Sequence, residues 1–336
     1  MMILGIDVSK STIDVALLKD EFAKPRHKVF SNDGAGHHQL VAWLREQGAP
    51  PETAPVQACL VQACLEATGT YGEAVALALF EAGHRVSVVN PAQVRDFGKS
   101  ELKRTKTDKA DAQVIARFCQ SHRPAPWSPP APELRALQGL VRRVETLEEM
   151  KQMEENRRGS GGVCAVVRAS LDEHILYLQG QIEKTRRQIE EHIDQNPGLR
   201  SQAKLLESIP GIGAVTAAVI LAEVGEMEHF KSARQVAAFA GLVPKIRESG
   251  SSVRGKPRLS KVGSPRLRKC LYFPAMTALR FNPLIKALGL RLSAQGKPKM
   301  LILGAAMRKL LHLAYGVLKS GKPFDANFAA NTSFNA

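Results

Sequence analysis

Short apolar runs separated by turn residues open the chain, and long stretches with apolar positions every three or four residues follow them. Ile3-Leu4-Gly5-Ile6-Asp7-Val8 reads as a strand ending on an acid. Thr12 to Leu18 reads as a second strand after a turn at Ser9-Lys10-Ser11, and His27 to Phe30 as a third. The pattern then predicts a helix from about Ala35 to Glu46, a strand ending at Cys64-Leu65-Glu66, and a helix from about Tyr71 to Ala82. A strand over 85–89 is stopped by Asn90-Pro91, and Thr107 or Asp108 is placed to cap a helix running to about Cys119. A tandem VQACL-VQACL, Val56 to Leu65, alternates as a strand does.

Three antiparallel strands followed by crossover units give the order of a ribonuclease-H-like α/β sheet. The Pro-rich run His122 to Pro130 closes this first domain near residue 125. Residues 126–198 are expected to be a linker and two long helices, with apolar Leu137, Val141, Val144, Leu171, Ile175, Leu178, Ile182 and Ile189 among Glu, Lys and Arg. That spacing fits an antiparallel or intermolecular coiled coil, or helical scaffold packing within one chain, broken at Gly159-Ser160-Gly161-Gly162. Residues 199–325 are expected to be a mainly helical C-terminal domain, and 326–336 a disordered tail. In that domain Ile209-Pro210-Gly211-Ile212-Gly213 separates two helical runs, as in a helix-hairpin-helix. Gly211 and Gly213 would leave backbone N–H groups open to a phosphate, or simply turn a corner between helices.

Charge changes the picture more than composition does. The net charge is +15, and residues 200–336 hold 22 Lys/Arg against 6 Asp/Glu, so the excess lies almost wholly in the C-terminal part. Such asymmetry points to a polyanionic partner. No apolar run is long enough to cross a bilayer and the start lacks a secretory pattern, so a cytoplasmic, nucleoid-associated protein with no membrane partner is expected. The five cysteines are scattered without any CxxC pair, which excludes a disulfide framework or a zinc knot.

Four acids stand where chemistry can use them. Asp7 and Glu66 end strands, and Asp108 and Asp111 open a helix, three residues apart and therefore on one face. Taken singly they are a turn former, a surface acid, a cap and a first-turn residue. Together in a ribonuclease-H order they would repel one another unless cations neutralise them, and Mg²⁺, as one or two ions, suits an all-carboxylate site. The second candidate is a Gly/Ser loop, Arg247-Glu248-Ser249-Gly250-Ser251-Ser252-Val253-Arg254-Gly255-Lys256, continued by Arg258 and Lys261. A serine among these cations could attack a phosphate, with Ser249, Ser251 and Ser252 equally eligible, or the loop could only grip the backbone.

With these residues in place the chain resembles the DEDD transposases of the insertion sequence 110 family, over nearly its whole length. The resemblance rests on Gly5-Ile6-Asp7-Val8-Ser9-Lys10, Leu65-Glu66-Ala67-Thr68-Gly69-Thr70-Tyr71, Asn90-Pro91, Lys106-Thr107-Asp108-Lys109-Ala110-Asp111-Ala112, Ile209-Pro210-Gly211-Ile212-Gly213, and Phe239-Ala240-Gly241-Leu242-Val243-Pro244 leading to Glu248-Ser249-Gly250. It implies a RuvC-like domain whose metal-holding acids are Asp7, Glu66, Asp108 and Asp111, a coiled coil used in assembly, and a C-terminal transposase domain. It further implies Ser249 as the nucleophile forming a phosphoserine link to DNA, a homo-oligomer (dimer or tetramer), and a noncoding RNA guide pairing with donor and target DNA. A Holliday-junction nuclease using water in place of Ser249, and an inactive nucleic-acid-binding assembly protein, are the other readings these residues admit.

Overall fold

The computed structural model describes residues 2–19, 24–48, 61–67, 71–101, 107–162, 164–249 and 253–327, with backbone only at 228, 246–249 and 253–257. It divides into two compact units, Met1–Pro129 and Pro130–Ala336, the break falling in the Pro-rich run.

The first unit is a five-stranded sheet with helices on both faces. In chain order it comprises β1 (Met2–Val8), β2 (Thr12–Leu18), β3 (Arg26–Ser31), α1 (Gly34–Glu46), β4 (Val61–Glu66), α2 (Glu73–Glu81), β5 (Arg85–Val89), α3 (Pro91–Ser100) and α4 (Asp108–His122). The spatial order is β3-β2-β1-β4-β5. β2 pairs antiparallel with both β1 and β3, and β4 pairs parallel with both β1 and β5. This is the ribonuclease-H strand order expected from the sequence.

Alternation along the strands divides the core. Leu4, Ile6, Ile13, Val15, Leu17, Ala63 and Leu65 pack with Leu40, Leu44 and Leu79 of α1 and α2 on one face. Ile3, Ala16, Leu18, Cys64 and Val89 pack with Ala112, Ile115, Ala116 and Cys119 of α4 on the other. The second VQACL copy lies in β4; the first, Val56 to Leu60, lies outside the described residues. Asn90-Pro91 does more than stop β5. Asn90 caps α3, its side chain accepting from the Ala92 N–H, and Pro91 takes the first helical turn, where its missing N–H costs nothing.

The second unit is mainly helical. α5 (Pro132–Gly159) and α6 (Ala165–Gln195) run antiparallel, with ion pairs Arg158 to Asp172 and Arg186 to Glu148 crossing between them. α7 (Pro197–Glu207), α8 (Ala214–Val224) and α9 (Ala233–Phe239) follow, then a hairpin of β6 (Pro244–Ser249) and β7 (Val253–Leu259), then α10 (Pro265–Phe281), α11 (Pro283–Ala294) and α12 (Lys299–Ser320). One core joins these helices. The Gly/Ser stretch is therefore flanked by two paired antiparallel strands, whose residues alternate; Gly250, Ser251 and Ser252 lie outside the described residues.

A second correction concerns α12, which at 22 residues is long and apolar enough to cross a bilayer, contrary to expectation. Its Leu303, Met307, Leu310, Leu311, Ala314 and Val317 are packed into the core of the unit, and Arg308 and Lys309 interrupt the apolar run. Of the expected tail, 328–336 lies outside the described residues.

Candidate active site

Strand alternation and register bring three acids to one face of the first unit's sheet. The last residues that β1 and β4 pair with each other are Ile6 and Leu65, both buried toward α1 and α2. Their successors Asp7 and Glu66 therefore project to the opposite face, where α4 packs. Asp14 stands directly opposite Asp7 and joins that face. It accepts from, or pairs with, His27 of β3, Nε2 to Oδ1 at 2.7 Å, and both side chains are half-buried.

The start of α4 supplies the other two acids. Thr107 is the cap: its hydroxyl oxygen accepts from the Ala110 N–H at 3.2 Å and its carbonyl from the Asp111 N–H at 2.8 Å. Asp108 is thus not needed as the cap, and with Asp111 it occupies the first turn, where the helix dipole favours negative charge. Gly5 lets this helix lie on β1, since a Cβ there would collide with the carbonyl oxygen of Ala112 and the backbone of Ala116.

The electrostatic result is concentrated on Asp7. Burial, then the charges of Asp111, Asp108 and Asp14, push its carboxyl up to about 6, against a hydrogen bond from the Val8 backbone that opposes the rise. Asp7 therefore senses Asp111 and Asp108, and Glu66 stands on the adjacent strand. Among the described residues no three acid, His or Cys side chains converge closely enough to hold a metal ion. The donor set still fits a hard divalent cation, because mutual repulsion among carboxylates is what such an ion relieves.

Asn32 holds the loops around these acids, and nothing in its sequence context marks it. Its amide donates to the Ser9 carbonyl at 2.8 Å and to the Tyr71 carbonyl at 3.1 Å, so it ties the turn after Asp7 to the segment that follows Glu66. Buried His37 is bonded to its Oδ1 at 2.9 Å, orienting the amide. Thr68, Gly69 and Thr70 of that segment lie outside the described residues, as does Lys106 before α4.

The serine candidate is in the second unit. Ser249 ends β6 opposite Val253, Glu248 stands opposite Arg254, and Arg247 opposite Gly255, with an irregularity between Lys245 and Arg247. The side chains of Arg247, Ser249, Arg254 and Lys256 lie outside the described set, while Arg258 and Lys261 are exposed. The root of the hairpin is firmly built. The Ser260 N–H donates to the Val243 carbonyl and the Lys261 N–H to Gly241, and Arg268 donates to the carbonyls of Ala240, Gly263 and Ser264. Gly241, at φ +67°, passes within 2.5 Å of the Arg268 guanidinium if given a Cβ, which explains the glycine in the Phe239-to-Pro244 motif.

The Pro-Gly-Ile-Gly turn divides its two glycines between roles. Gly211, at φ +109°, packs against α10, where a Cβ would lie 2.8 Å from Ala278 Cβ and 2.9 Å from the Pro274 carbonyl oxygen. Gly213 precedes α8 with open space around it and is exposed.

Comparison with known proteins agrees with this layout. A DEDD transposase family model for IS110 elements, described as Transposase, matches residues 4–159, and the model described as Transposase IS116/IS110/IS902 family matches 203–289. Pilin gene-inverting proteins of Moraxella bovis and Moraxella lacunata are each 31% identical over 323 residues, 96% of this chain and 97% of theirs. The transposase for insertion sequence element IS1328 of Yersinia enterocolitica is 27% identical over 219 residues, covering 56% of this chain and 62% of its own.

Proposed function

The chain belongs to the IS116/IS110/IS902 family of transposases, and on that premise we propose that it is a DNA recombinase in which Ser249 and the acids Asp7, Glu66, Asp108 and Asp111 act together. The observation that carries this reading is the crowding of Asp7 by Asp108 and Asp111 across the junction of β1 and α4. Two relatives named for inverting a pilin gene support rejoining of DNA as well as cutting.

Rejoining is what a serine nucleophile provides. The Ser249 hydroxyl would attack phosphorus, losing its proton, and the displaced strand oxygen would leave as a hydroxyl, taking one up. A phosphodiester is exchanged for a phosphoserine diester, and a second strand's hydroxyl reverses the step, so no nucleotide cofactor is needed. Mg²⁺ held by Asp7, Glu66, Asp108 and Asp111 would offset charge on the phosphoryl oxygens. Arg254, Lys256, Arg258 and Lys261 would hold the DNA backbone near the serine, and Gly211 and Gly213 would form a helix-hairpin-helix turn offering backbone N–H groups to phosphate. The paired helices α5 and α6 would serve as a coiled coil in a homo-oligomer, one subunit's acids meeting another's serine. A noncoding RNA pairing with donor and target DNA is the expected guide, on the strength of the family.

A denaturing gel of labelled element-end DNA, incubated with protein, candidate RNA and Mg²⁺, tests the reading. A protein-linked DNA band should form with the wild type and be absent with Ser249→Ala or without Mg²⁺. Cleavage by Ser249→Ala with no linked band would replace the serine mechanism by a water-using nuclease and leave the hairpin as a phosphate grip.

A further inference from the structure

Residues 249–324 contain 16 Lys/Arg and no Asp or Glu. Among the described residues of this stretch only Arg266 and Lys269 meet carboxylates, those of Glu145 and Glu223 from α5 and α8. Arg268 is occupied by backbone carbonyls. Arg280, Lys286, Arg291, Lys297 and Lys299 are exposed and have no described acid beside them.

Within this acid-free stretch of sequence α10 carries an unusual outer face. Leu267, Leu271, Ala275 and Ala278 bury its inner side. The opposite stripe, at spacings of three and four, is Lys269, Tyr272, Phe273, Met276 and Arg280, and Phe281 flanks it. Phe273 is 73% exposed and Phe281 69%. Tyr272 and Phe273 meet edge to face, centroids 5.3 Å apart, which braces the rings without stacking them flat. Phe273 to Phe281 spans about 12 Å of helix, the rise of three to four stacked nucleotides.

We propose that this face of α10 is a base-stacking platform for unpaired DNA, distinct from the serine hairpin. Aromatic rings flanked by exposed Arg280 and by Lys269, which Glu145 only partly neutralises, suit a strand that presents both phosphates and bare base faces; a duplex presents only groove edges and leaves the rings nothing to stack on. A second copy of the chain fits less well, because a two-fold contact across the stripe would set Arg280 of each copy against Lys269 of the other, cation against cation. The proposal rests on the recombinase reading only for the identity of its ligand. Its test is therefore a binding measurement that needs neither cleavage nor Ser249.

The experiment uses the full chain without Mg²⁺ at one fixed salt concentration, comparing a labelled oligo-dT with a duplex of equal length. Phe273→Ala should weaken oligo-dT binding about tenfold and leave duplex binding within about twofold, as expected for the loss of one stacking ring. Phe273→Trp should keep the affinity, and oligo-dT should quench its added indole emission after subtraction of the wild-type signal from Trp43 and Trp127. Because the ring is exposed, both variants should melt as the wild type does. Equal losses on both DNAs, no loss on either, absence of oligo-dT binding by the wild type, or a wild-type dimer that Phe273→Ala dissociates would each overturn the proposal.

Discussion

Gly5 lies directly beneath Ala116, so close that a Cβ on Gly5 would overlap the Ala116 backbone nitrogen. The contact sets the height of α4 above β1, and through it the distance from Asp7 to Asp108 and Asp111. Backbone atoms cannot rotate out of the way as a side-chain end can, so Gly5→Ala must push the helix outward. We expect a loss of about 1–3 kcal/mol in stability by denaturant titration. DNA cleavage should fall by more than that loss explains, and Gly72→Ala, whose Cβ would crowd only the movable end of Leu65 and reach Glu66 and Val8 at ordinary contact distance, serves as the comparison.

Asp7 makes the fold sensitive to pH in a defined direction. Its folded-state pKa is raised to about 6 by burial and by Asp111, Asp108 and Asp14, so the folded chain favours the protonated form. Below about pH 3 the acid is neutral in both folded and unfolded chains and costs nothing. As pH rises from about 3 to 6 the unfolded chain ionises first and the folded state loses relative stability; above that the loss is complete. Asp7→Asn should therefore melt higher than the wild type at neutral pH, by on the order of 1–2 kcal/mol after allowance for solvent screening, and equally at about pH 3 and below. Mg²⁺ should raise the melting temperature of the wild type at neutral pH and not that of the variant. Equal melting at every pH would mean that the acids are not crowded.

The acids themselves were legible because an apolar strand running straight into Asp7 or Glu66 needs no distant partner to be seen. Thr107 and Asp108 also announced a helix start locally, although which of them caps depends on the turn geometry. Gly5 and Asn32 were not legible, since each acts through a contact with a residue far along the chain: Ala116 for one, Tyr71 for the other. α3 was hidden for a different reason. Asn90-Pro91 ends a strand and begins a helix with the same two residues, and only the stop is apparent from the apolar pattern. Around Ser249 the Gly/Ser cluster masked the alternation that makes β6 and β7 a hairpin.

Asn32 is expected to act through the two loops it joins. Asn32→Ala removes both donations, to Ser9 and Tyr71, and leaves His37 without its partner at Oδ1. Cleavage rate should drop about tenfold or more while DNA affinity holds, the pattern of a lost positioning contact. Asn32→Asp keeps the acceptor for His37 but lacks the amide donors, and it should behave as the alanine variant does. Recovery of activity in Asn32→Asp would show that orienting His37, and not tying the loops, is what matters.

Charge and scaffold can be separated at the root of the serine hairpin. Arg258 and Lys261 are exposed there, whereas Arg268 donates to the carbonyls of Ala240, Gly263 and Ser264. Lys261 also sits at φ +56°, a backbone region that favours glycine. Arg258→Ala should lower the slope of log affinity against log salt by about 1 with the melting temperature unchanged. Lys261→Gly should lower the slope similarly while holding or raising stability, because the strained backbone is relaxed. Arg268→Ala should do the reverse: it strips partners from buried carbonyls, so the protein melts lower, by an amount of order 1–3 kcal/mol. A salt slope that changes as much in Arg268→Ala as in Arg258→Ala, with no change in melting, would mean that Arg268 faces DNA and that the hairpin root is held by something else.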